Sequence, residues 1–329
     1  MRSEQWTKYL LKMKYITKSL KIILTFTLLV IIGFILFFGH RDIPLNELKT
    51  TYANKSSSFI SVNEMDVHFR DEGDQTDTVP IVLIHGTGAS LHTFDVWSDS
   101  LKKSNRVIRM DLPAYGLTGP FPDSNYSIAH YTTFIKDFLE ALNIKQCVLA
   151  GNSLGGQIAW NFTLERPNMV KKLILIDAAG YPIISKSVPV AFKIAQTPVL
   201  NKLLTFITPR FLVRSSVENV YFDTSKVTDS LIERYFELTL REGNRKAFVD
   251  RLKMSKDTIT YTNIKHIQQP TLILWGAKDL LIPVENAYKF QEDLPNNTLV
   301  ILEGTGHTPM EESPIESLEP VINFLKTSQ

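Results

Sequence analysis

Residues 146–156 read QCVLAGNSLGG, and this stretch decides the fold. The apolar run Gln146–Ala150 is typical of a buried strand, and Gln157–Leu164, just after the glycines, is predicted to be helical. The intervening Gly-Asn-Ser-Leu-Gly places Ser153 on a tight strand-to-helix turn, where glycines two residues to either side let strand and helix approach closely. Because such a turn exposes the serine hydroxyl, Ser153 is predicted to be a nucleophile.

Short apolar or β-branched runs on both sides of this stretch alternate with segments long enough for helices. This alternation indicates an α/β fold with a mostly parallel central sheet and helices on both faces. An antiparallel pair, Phe59–Val62 and Val67–Arg70, is predicted to open the sheet. The other predicted strands are Ile81–Ile84, Arg106–Met110, Gln146–Ala150, Lys172–Ile176, Thr271–Trp275 and Leu299–Leu302, and the predicted helices include Tyr126–Asn143, Pro283–Leu294 and Pro314–Lys326.

One interval in this alternation is longer than a single crossover helix requires. Residues 181–256 lie between the predicted strands Lys172–Ile176 and Thr271–Trp275. We expect this interval to be an inserted helical cap over the carboxyl edge of the sheet, where ligands of such folds bind. The core domain would then consist of residues 58–180 and 257–329.

The N-terminal region contains a long apolar run, IILTFTLLVIIGFILFFG, at residues 22–39. As a helix this run is about 27 Å long, which is enough to cross a bilayer. A cleaved signal peptide is the main alternative, but its apolar core usually has only about 7–15 residues and ends at small residues, unlike Phe37-Phe38-Gly39. A buried core helix is less favoured because the run is apolar on every face. We predict an uncleaved, single-pass transmembrane helix.

Basic residues are distributed unequally around this span. Cytoplasmic flanks of membrane spans carry the excess of Lys and Arg, so residues 1–21 are predicted to be cytoplasmic and the remainder extracytoplasmic. Residues 40–57 are polar without a clear period and are interpreted as a linker. The basic residues are Arg2, Lys8, Lys12, Lys14, Lys18 and Lys21 before the span, and Arg41, Lys49 and Lys55 soon after it.

The overall composition excludes some partners and some chemistry. With 36 basic and 34 acidic residues the net charge is +2, so no excess positive field favours nucleic acid as a partner. Cys147 is the single cysteine, which excludes an intrachain disulfide and a thiolate metal cluster. We expect its thiol to be buried and inert.

His307 is the predicted general base, in the sequence GTGHTPMEE just after the last predicted strand. An imidazole has an ordinary pKa of about 6.5 and can accept a serine proton near neutral pH. The alternative is an ordinary loop histidine. His85, His92 and His130 have no comparable position after the last strand.

Asp279 is the predicted partner of that histidine, in WGAKD directly after the strand ending at Trp275. A buried carboxylate bonded to the far ring nitrogen fixes the tautomer and stabilises the imidazolium. Asp177, at the end of the preceding strand, is the competing candidate, and it leads into Ala-Ala-Gly, which is better suited to start the cap. Asp279 is therefore favoured, and the chain order Ser153, Asp279, His307 is the one expected of this kind of site.

An oxyanion hole requires two backbone donors aimed at the developing negative charge. We expect the N–H groups of Leu154 and Thr87 to supply them, with Gly86 and Gly88 giving the second loop its conformational freedom. His85 is interpreted as a structural residue of that loop. Asp111, after another strand, is predicted to brace a neighbouring turn.

Taken together, HGTGAS, MDLPAYGLTGP, GNSLGG, LIDAAG, WGAKD and GTGHTPMEESP resemble, in order and spacing, the α/β-hydrolase superfamily over residues 59–326. GNSLGGQ followed by LIDAAG is most similar to bacterial lipases and esterases, membrane-anchored monoacylglycerol lipases, and hydrolases that cleave carbon–carbon bonds of ring-fission products. Serine at the turn distinguishes the chain from relatives with aspartate there, the epoxide hydrolases and haloalkane dehalogenases. Ala114 is a departure, since relatives commonly have glycine at this position.

These features predict a carboxylic ester hydrolase that needs neither a metal nor an organic cofactor. The membrane span and the apolar segment 188–213 favour lipid-like esters, although this segment would also serve simply to pack the cap helices together. Carbon–carbon cleavage of a dienoic keto acid by the same triad is one alternative. A catalytically inactive binding module is another, disfavoured because Ser153, Asp279, His307 and the turn glycines are all present.

Overall fold

The computed structural model describes residues 2–254 and 260–327, and eight strands within these ranges form one sheet. The strands are β1 (Ser57–Val62), β2 (Met65–Glu72), β3 (Ile81–Ile84), β4 (Val107–Met110), β5 (Cys147–Asn152), β6 (Val170–Ile176), β7 (Thr271–Gly276) and β8 (Asn297–Leu302). Each predicted strand overlaps one of these.

Helices occupy most of the remaining described chain. The α-helices are α1 (Arg2–Phe38), α2 (Leu45–Tyr52), α3 (Asp95–Leu101), α4 (Ile128–Ala141), α5 (Leu154–Glu165), α6 (Val190–Gln196), α7 (Leu200–Leu203), α8 (Arg210–Glu218), α9 (Asp229–Thr239), α10 (Asn244–Lys253), α11 (Glu285–Asp293), α12 (Pro309–Glu312) and α13 (Pro314–Lys326), with 3₁₀ turns at Leu91–Phe94, Pro167–Met169, Thr224–Lys226 and Thr260–His266.

The sheet is mostly parallel, as predicted, with the strand order β1-β2-β4-β3-β5-β6-β7-β8. β1 and β2 form an antiparallel hairpin through Asn63 and Glu64, whose φ angles of 49° and 64° suit a tight two-residue turn. β2 pairs antiparallel with β4, and the strands from β4 to β8 along the sheet are parallel. The carboxyl ends of β3, β5, β6 and β7 therefore meet at one edge.

Helices cover both faces of the sheet. Successive side chains of each strand point to opposite faces, and the apolar side chains on each face are buried against helices. Val82 and Ile84 belong to one buried cluster with side chains of α4, α5 and α11. Ile81 and Leu83 belong to a second cluster with side chains of α3 and α13. The central strands are buried on both sides, which explains their nearly continuous apolar sequences.

The cap segment, defined as residues 181–254, contains α6 to α10 and lies between β6 and β7 in the chain. It reaches the carboxyl edge of the sheet, where His307 N–H donates a 2.8 Å hydrogen bond to the Val220 carbonyl. The predicted junction between residues 256 and 257 lies outside the described residues, as do residues 1, 328 and 329.

Residues 40–57, interpreted as a linker, contain the helix α2 and the first residue of β1. Leu48 is its one fully buried side chain and packs with Leu117 and Leu238. A single buried residue in a polar stretch gives no visible helical period, so the tertiary contact that stabilises α2 could not be inferred from the pattern.

The helix α1 extends without interruption from Arg2 to Phe38, and so includes both the basic lead and the apolar run. It is long and apolar enough to cross a membrane, and none of its most apolar eighteen-residue window is buried against the protein. This exposure excludes a buried core helix. Lys and Leu are good helix formers, which accounts for the continuation of the helix through residues 2–21.

Candidate active site

Ser153 lies on the turn between β5 and α5, with φ 56° and ψ −115°. This backbone conformation is costly for a residue with a side chain and persists only when its surroundings enforce it. Ser153 N–H donates to the Ile176 carbonyl at 3.0 Å, and the Ser153 carbonyl accepts from Ala179 at 3.1 Å. A Cβ on Gly155 would lie 2.3 Å from the Ile84 carbonyl oxygen, so only glycine permits this close approach of α5 to β3.

His307 and Asp279 form a buried pair beside this turn. His307 Nδ1 donates to Asp279 Oδ2 at 2.6 Å, which leaves Nε2 as the ring nitrogen available for a substrate or nucleophile. The other Asp279 oxygen accepts the N–H groups of Leu281 at 2.8 Å and Ile282 at 2.9 Å. These bonds fix the carboxylate in orientation.

Asp177, the competing carboxylate, does not accept a hydrogen bond from His307 in the structure. Its Oδ1 accepts Gly276 N–H at 3.0 Å, and its Oδ2 is buried without a hydrogen-bond partner among the described residues. Burial, and next the nearby charge of Asp279, raise the pKa of Asp177 well above its usual value. This environment favours the neutral carboxyl form at Asp177.

The loop after β3 lies directly against the serine. A Cβ on Gly86 would lie 2.8 Å from Asn152 Oδ1 and 3.1 Å from Ser153 Cβ. His85 anchors the loop, because its Nδ1 donates to the Gly86 carbonyl at 2.8 Å and its Nε2 accepts Leu112 N–H at 2.9 Å. Burial lowers the pKa of His85, so the ring is neutral and structural in this position.

One cavity connects the predicted catalytic residues with the cap segment. Ser153, His307 and Thr87 line it from the sheet side. Leu154, whose N–H is the other predicted oxyanion donor, is the first residue of α5, where backbone N–H groups have no partner within the helix. The cap side of the cavity is largely apolar, with side chains that include Phe192, Leu204, Leu212, Val213, Val217 and Phe248.

Among the described residues no hydrogen bond joins Ser153 to His307, although both line this cavity. Contacts of this kind are often long before substrate binds and shorten in the reacting complex. The structure therefore brings Ser153, His307, Asp279 and Thr87 to one edge of the sheet, and joins the histidine to the aspartate directly.

Two supporting residues were not identified in the sequence. Asn152 Nδ2 donates to the carbonyl of His307 at 3.0 Å and to that of Ile176 at 3.1 Å, and so ties the serine turn to the histidine loop. Glu312 is buried, and its Oε2 accepts Gly306 N–H at 2.7 Å. Glu312 follows another glutamate, Glu311, in the sequence HTPMEES, so the sequence carries no signal that distinguishes it.

Asp111 braces a turn, as predicted. Its Oδ1 accepts Leu91 N–H and its Oδ2 accepts Leu117 N–H, both at 2.8 Å. Burial opposes ionisation of Asp111, but the neighbouring His68 lowers its pKa below the usual value. Ala114, the residue that departs from the family pattern, has φ 85°, a region that glycine adopts more easily.

The described residues also contain a group of donors that a metal ion can use. One ligand atom each of Asp177, Asp279 and His307 lie within 4.8 Å of one another. The Nδ1 to Oδ2 bond already joins two of these residues, as expected for a catalytic pair. Cys147 is buried away from this group, and burial raises the pKa of its thiol to about 12, which makes it a poor ligand or nucleophile.

Comparison with known proteins gives several relatives. The chain is 28% identical over 265 residues to the uncharacterized hydrolase YugF of Bacillus subtilis, covering 80% of this chain and 95% of the relative. It is 28% identical over 254 residues to the 2-hydroxy-6-oxo-6-(2'-aminophenyl)hexa-2,4-dienoic acid hydrolase of Metapseudomonas resinovorans, covering 75% and 83% of the two chains. A candidate lipase, lip1 of Acinetobacter baumannii AYE, has a similar structure, with TM-score 0.69 and 25% identity, covering 87% and 97%.

A model of the alpha/beta hydrolase fold family matches residues 79–314, a range that includes the serine turn, the Asp279 loop and the His307 loop. The eight-stranded, mostly parallel sheet with helices on both faces agrees with the fold of that family. The chain therefore belongs to the α/β-hydrolase fold family.

Proposed function

We propose that this chain is a membrane-anchored serine hydrolase of carboxylic esters, with lipid-like esters as its substrates. The observation that carries the proposal is the buried 2.6 Å bond from His307 Nδ1 to Asp279 Oδ2, next to a serine held at φ 56° on the same cavity. A serine, a histidine and a carboxylate in these roles are the parts of an acyl-transfer site.

The reaction would proceed in two halves. Ser153 Oγ attacks the ester carbonyl while His307 Nε2 takes its proton, and the N–H groups of Leu154 and Thr87 stabilise the oxyanion. Collapse of the tetrahedral intermediate breaks the ester bond, and the imidazolium gives its proton to the leaving alcohol. Water then attacks the acyl-serine with His307 as base, which releases the acid and restores Ser153.

The lining of the cavity supports an apolar acyl chain. Among the described lining residues Arg245 is the one Lys or Arg, and its charge is already paired. Its Nη2 donates to Asp42 Oδ1 at 2.6 Å and to the His40 carbonyl at 2.8 Å. A substrate carboxylate would have to compete with Asp42, whereas an alkyl chain would lie against the leucine, valine and phenylalanine side chains of the cap segment.

Carbon–carbon cleavage is the second candidate function. The Metapseudomonas relative carries the name of a dienoic acid hydrolase, and the serine triad of this fold supports both reactions. The dienoic acid carries a carboxylate, for which the paired Arg245 is poorly suited. The extracytoplasmic location proposed below is also less suited to an intermediate that arises in the cytoplasm.

The anchor is proposed from α1. The apolar run at residues 22–39, which lies in α1 except for Gly39, makes a span of about 27 Å, and the six basic residues before it outnumber the three soon after it. This arrangement supports a cytoplasmic N-terminus and an extracytoplasmic catalytic body, defined as the described residues from His40 onward. A tethered enzyme would meet membrane lipids at a high effective concentration.

A substrate panel tests the function. The full chain in detergent micelles is assayed with p-nitrophenyl esters from acetate to palmitate, and in parallel with a dienoic keto acid. We expect ester hydrolysis that favours medium or long chains and is lost in Ser153→Ala. Cleavage of the keto acid with no hydrolysis of any ester would contradict ester hydrolysis in favour of the second candidate, and no turnover of either class would favour an inactive module.

A further inference from the structure

Large apolar side chains of the cap segment are exposed close to the point where α1 ends. Phe206 and Phe211 expose 68% and 59% of their surface, and Leu36 and Phe37 in the last turn of α1 expose 80% and 78%. Val199, Leu200 and Leu203 extend the apolar surface from the same part of the cap segment. Contiguous exposed apolar surface of this kind marks contact with a membrane or another protein.

Backbone contacts fix this surface against α1. Thr208 N–H donates to the Phe38 carbonyl at 3.3 Å, and His40 N–H donates to the Phe206 carbonyl at 3.3 Å. The rings of Phe38 and Phe211 meet edge to face with centroids 5.7 Å apart. Phe206 and Phe211 are therefore within one side-chain length of the last residues of α1.

The chain after α1 does not act as a free tether. Ile43 N–H donates to the Leu240 carbonyl at 2.8 Å, and Glu242 N–H donates to the Ile43 carbonyl at 3.1 Å. Arg245 holds Asp42 and the His40 carbonyl from the same side. A membrane that contains α1 must then meet the catalytic body at one place, the surface around Phe206 and Phe211.

The opposite side of the same stretch faces the catalytic cavity. Leu204, Thr208 and Leu212 line that cavity, and they alternate along the chain with the exposed Leu203, Phe206 and Phe211. The cavity and the exposed apolar surface are thus separated by a single layer of chain.

We propose that residues 199–213 rest in the surface of the bilayer that α1 spans, with Phe206 and Phe211 among the lipid chains, and that lipid-like esters pass from the bilayer through this layer to Ser153. The proposal rests on the proposed membrane anchor and ester hydrolysis. The bilayer is the occupant because the apolar surface continues that of α1 at the end of its span. Lys202, in the same stretch, is exposed and carries a charge that lipid headgroup phosphates can pair with.

Single-cysteine labelling tests the position of this surface. Cys147 is the only cysteine and is buried, so a spin label will attach selectively to cysteines introduced at exposed sites. Phe206→Cys and Phe211→Cys are prepared in the full chain. Tyr288→Cys on α11 and Ile315→Cys on α13 are matched controls at exposed sites outside the cap segment. Each protein is reconstituted in vesicles of phosphatidylcholine mixed with phosphatidylglycerol, and collisions of the label with oxygen and with a water-soluble nickel complex are measured.

We expect labels at 206 and 211 to collide preferentially with oxygen, as labels in lipid do, and labels at 288 and 315 to collide preferentially with the nickel complex. Nickel access at 206 and 211 equal to the controls, in protein that floats with the vesicles, would overturn the proposal. Protection from both reagents would also overturn it, because a second protein copy would then cover the surface. Protein that does not float with vesicles would instead overturn the membrane anchor.

An activity comparison tests the entry route. Phe206→Glu/Phe211→Glu should lower hydrolysis of a lipid ester embedded in vesicles by about tenfold or more, because charge disfavours insertion, while a short soluble p-nitrophenyl ester is hydrolysed at the wild-type rate. Tyr288→Glu/Ile315→Glu is the control and should change neither. An equal loss on both substrates, or no loss on either, would overturn entry from the bilayer. Absence of hydrolysis in the wild-type protein would overturn the proposed function, while the labelling result still decides the position of the surface.

Discussion

Two buried carboxyl groups, Asp177 and Asp279, lie just after the carboxyl ends of neighbouring strands and differ in their hydrogen-bond partners. Asp279 has its charge stabilised by His307 and by two backbone N–H groups. Asp177 has one backbone donor and one oxygen without a partner among the described residues. Burial, and next the nearby charge of Asp279, raise the pKa of Asp177, so Asp177 is the carboxyl group that the environment keeps protonated.

Replacing each carboxylate by its amide should separate their roles. Asp279→Asn is expected to lower kcat by on the order of 10³–10⁴-fold, because an amide favours the wrong histidine tautomer. Asp177→Asn should keep activity within about fivefold, since the amide oxygen can accept from Gly276 N–H as the carboxyl group does, and the amide, like a protonated carboxyl, carries no charge. Steady-state kinetics on a soluble ester, with thermal unfolding to verify folding, make the measurement. A greater loss in Asp177→Asn than in Asp279→Asn would reverse the assignment.

The stability of the protein should also depend on Asp177 in a defined direction. Its folded pKa is raised above the usual 3.8, so the folded state binds the proton more tightly than the unfolded chain. The resulting stability is present below about pH 3.8 and is lost as pH rises toward the folded pKa. Asp177→Asn removes this pH-dependent loss of stability. The melting temperature of the variant relative to wild type should therefore increase with pH, by about 2–4 °C for each kcal/mol of difference in the free energy of unfolding. A difference that stays constant between pH 4 and pH 8, measured by scanning calorimetry with Asp293→Asn as control, would contradict the raised pKa.

At the residue scale the positions of the candidate residues could be predicted from the sequence, because each lies within a few residues of the end of an apolar strand. Parallel strands bring their carboxyl ends to one edge, so residues as distant as Ser153 and His307 could be expected to meet. The supporting contacts of Asn152 and Glu312 could not be predicted, since they depend on how two loops and the cap segment pack in space.

At the scale of elements, strands and helices of the core were predictable, and the cap segment was much less so. Core strands are buried on both faces and therefore have distinct apolar sequences. Within residues 199–213 some apolar side chains line the cavity and others form an exposed apolar surface, so the apolar residues of this stretch show no single stripe. The helix α2 was missed for a related reason, because Leu48 alone is fully buried in it.

The cap helix α8 should determine which acyl chains fit. Leu212 lines the cavity, whereas Ser215 on the same helix is exposed and does not line it. Leu212→Trp should shift the preference to shorter esters, with kcat/KM for the longest chains reduced by about tenfold or more relative to acetate. Ser215→Trp is the matched control. A loss in Leu212→Trp that is the same at every chain length would show that the acyl chain lies elsewhere.

At the scale of the whole molecule, the end of α1 is in direct contact with the cap segment. The helix ends at Phe38, and Gly39 already pairs with Ile207 of the cap segment. These contacts support the proposal that α1 is retained as an anchor. The length and apolar character of α1 could be predicted from sequence, but its attachment to the cap segment could not, because it depends on contacts across more than 160 positions of sequence.

An uncleaved anchor predicts that the mature protein keeps its N-terminus. After expression in a bacterial host, the chain should remain in the membrane fraction through a carbonate wash and have the intact mass of all 329 residues. Replacing Leu29 and Ile32 by arginine should release the chain into the wash, because charge at the centre of a span is costly. Recovery of a soluble chain that begins near residue 40 would indicate cleavage.

The central claim is that Ser153 is an activated nucleophile, and covalent labelling tests it most directly. The folded full chain is treated with a fluorophosphonate and the adduct is mapped by peptide mass spectrometry. We expect one adduct, on Ser153, that is absent in Ser153→Ala and forms at least about a hundredfold more slowly in His307→Ala, because the general base is lost. Folded wild-type protein that remains unlabelled, or is labelled at another residue, would contradict the account.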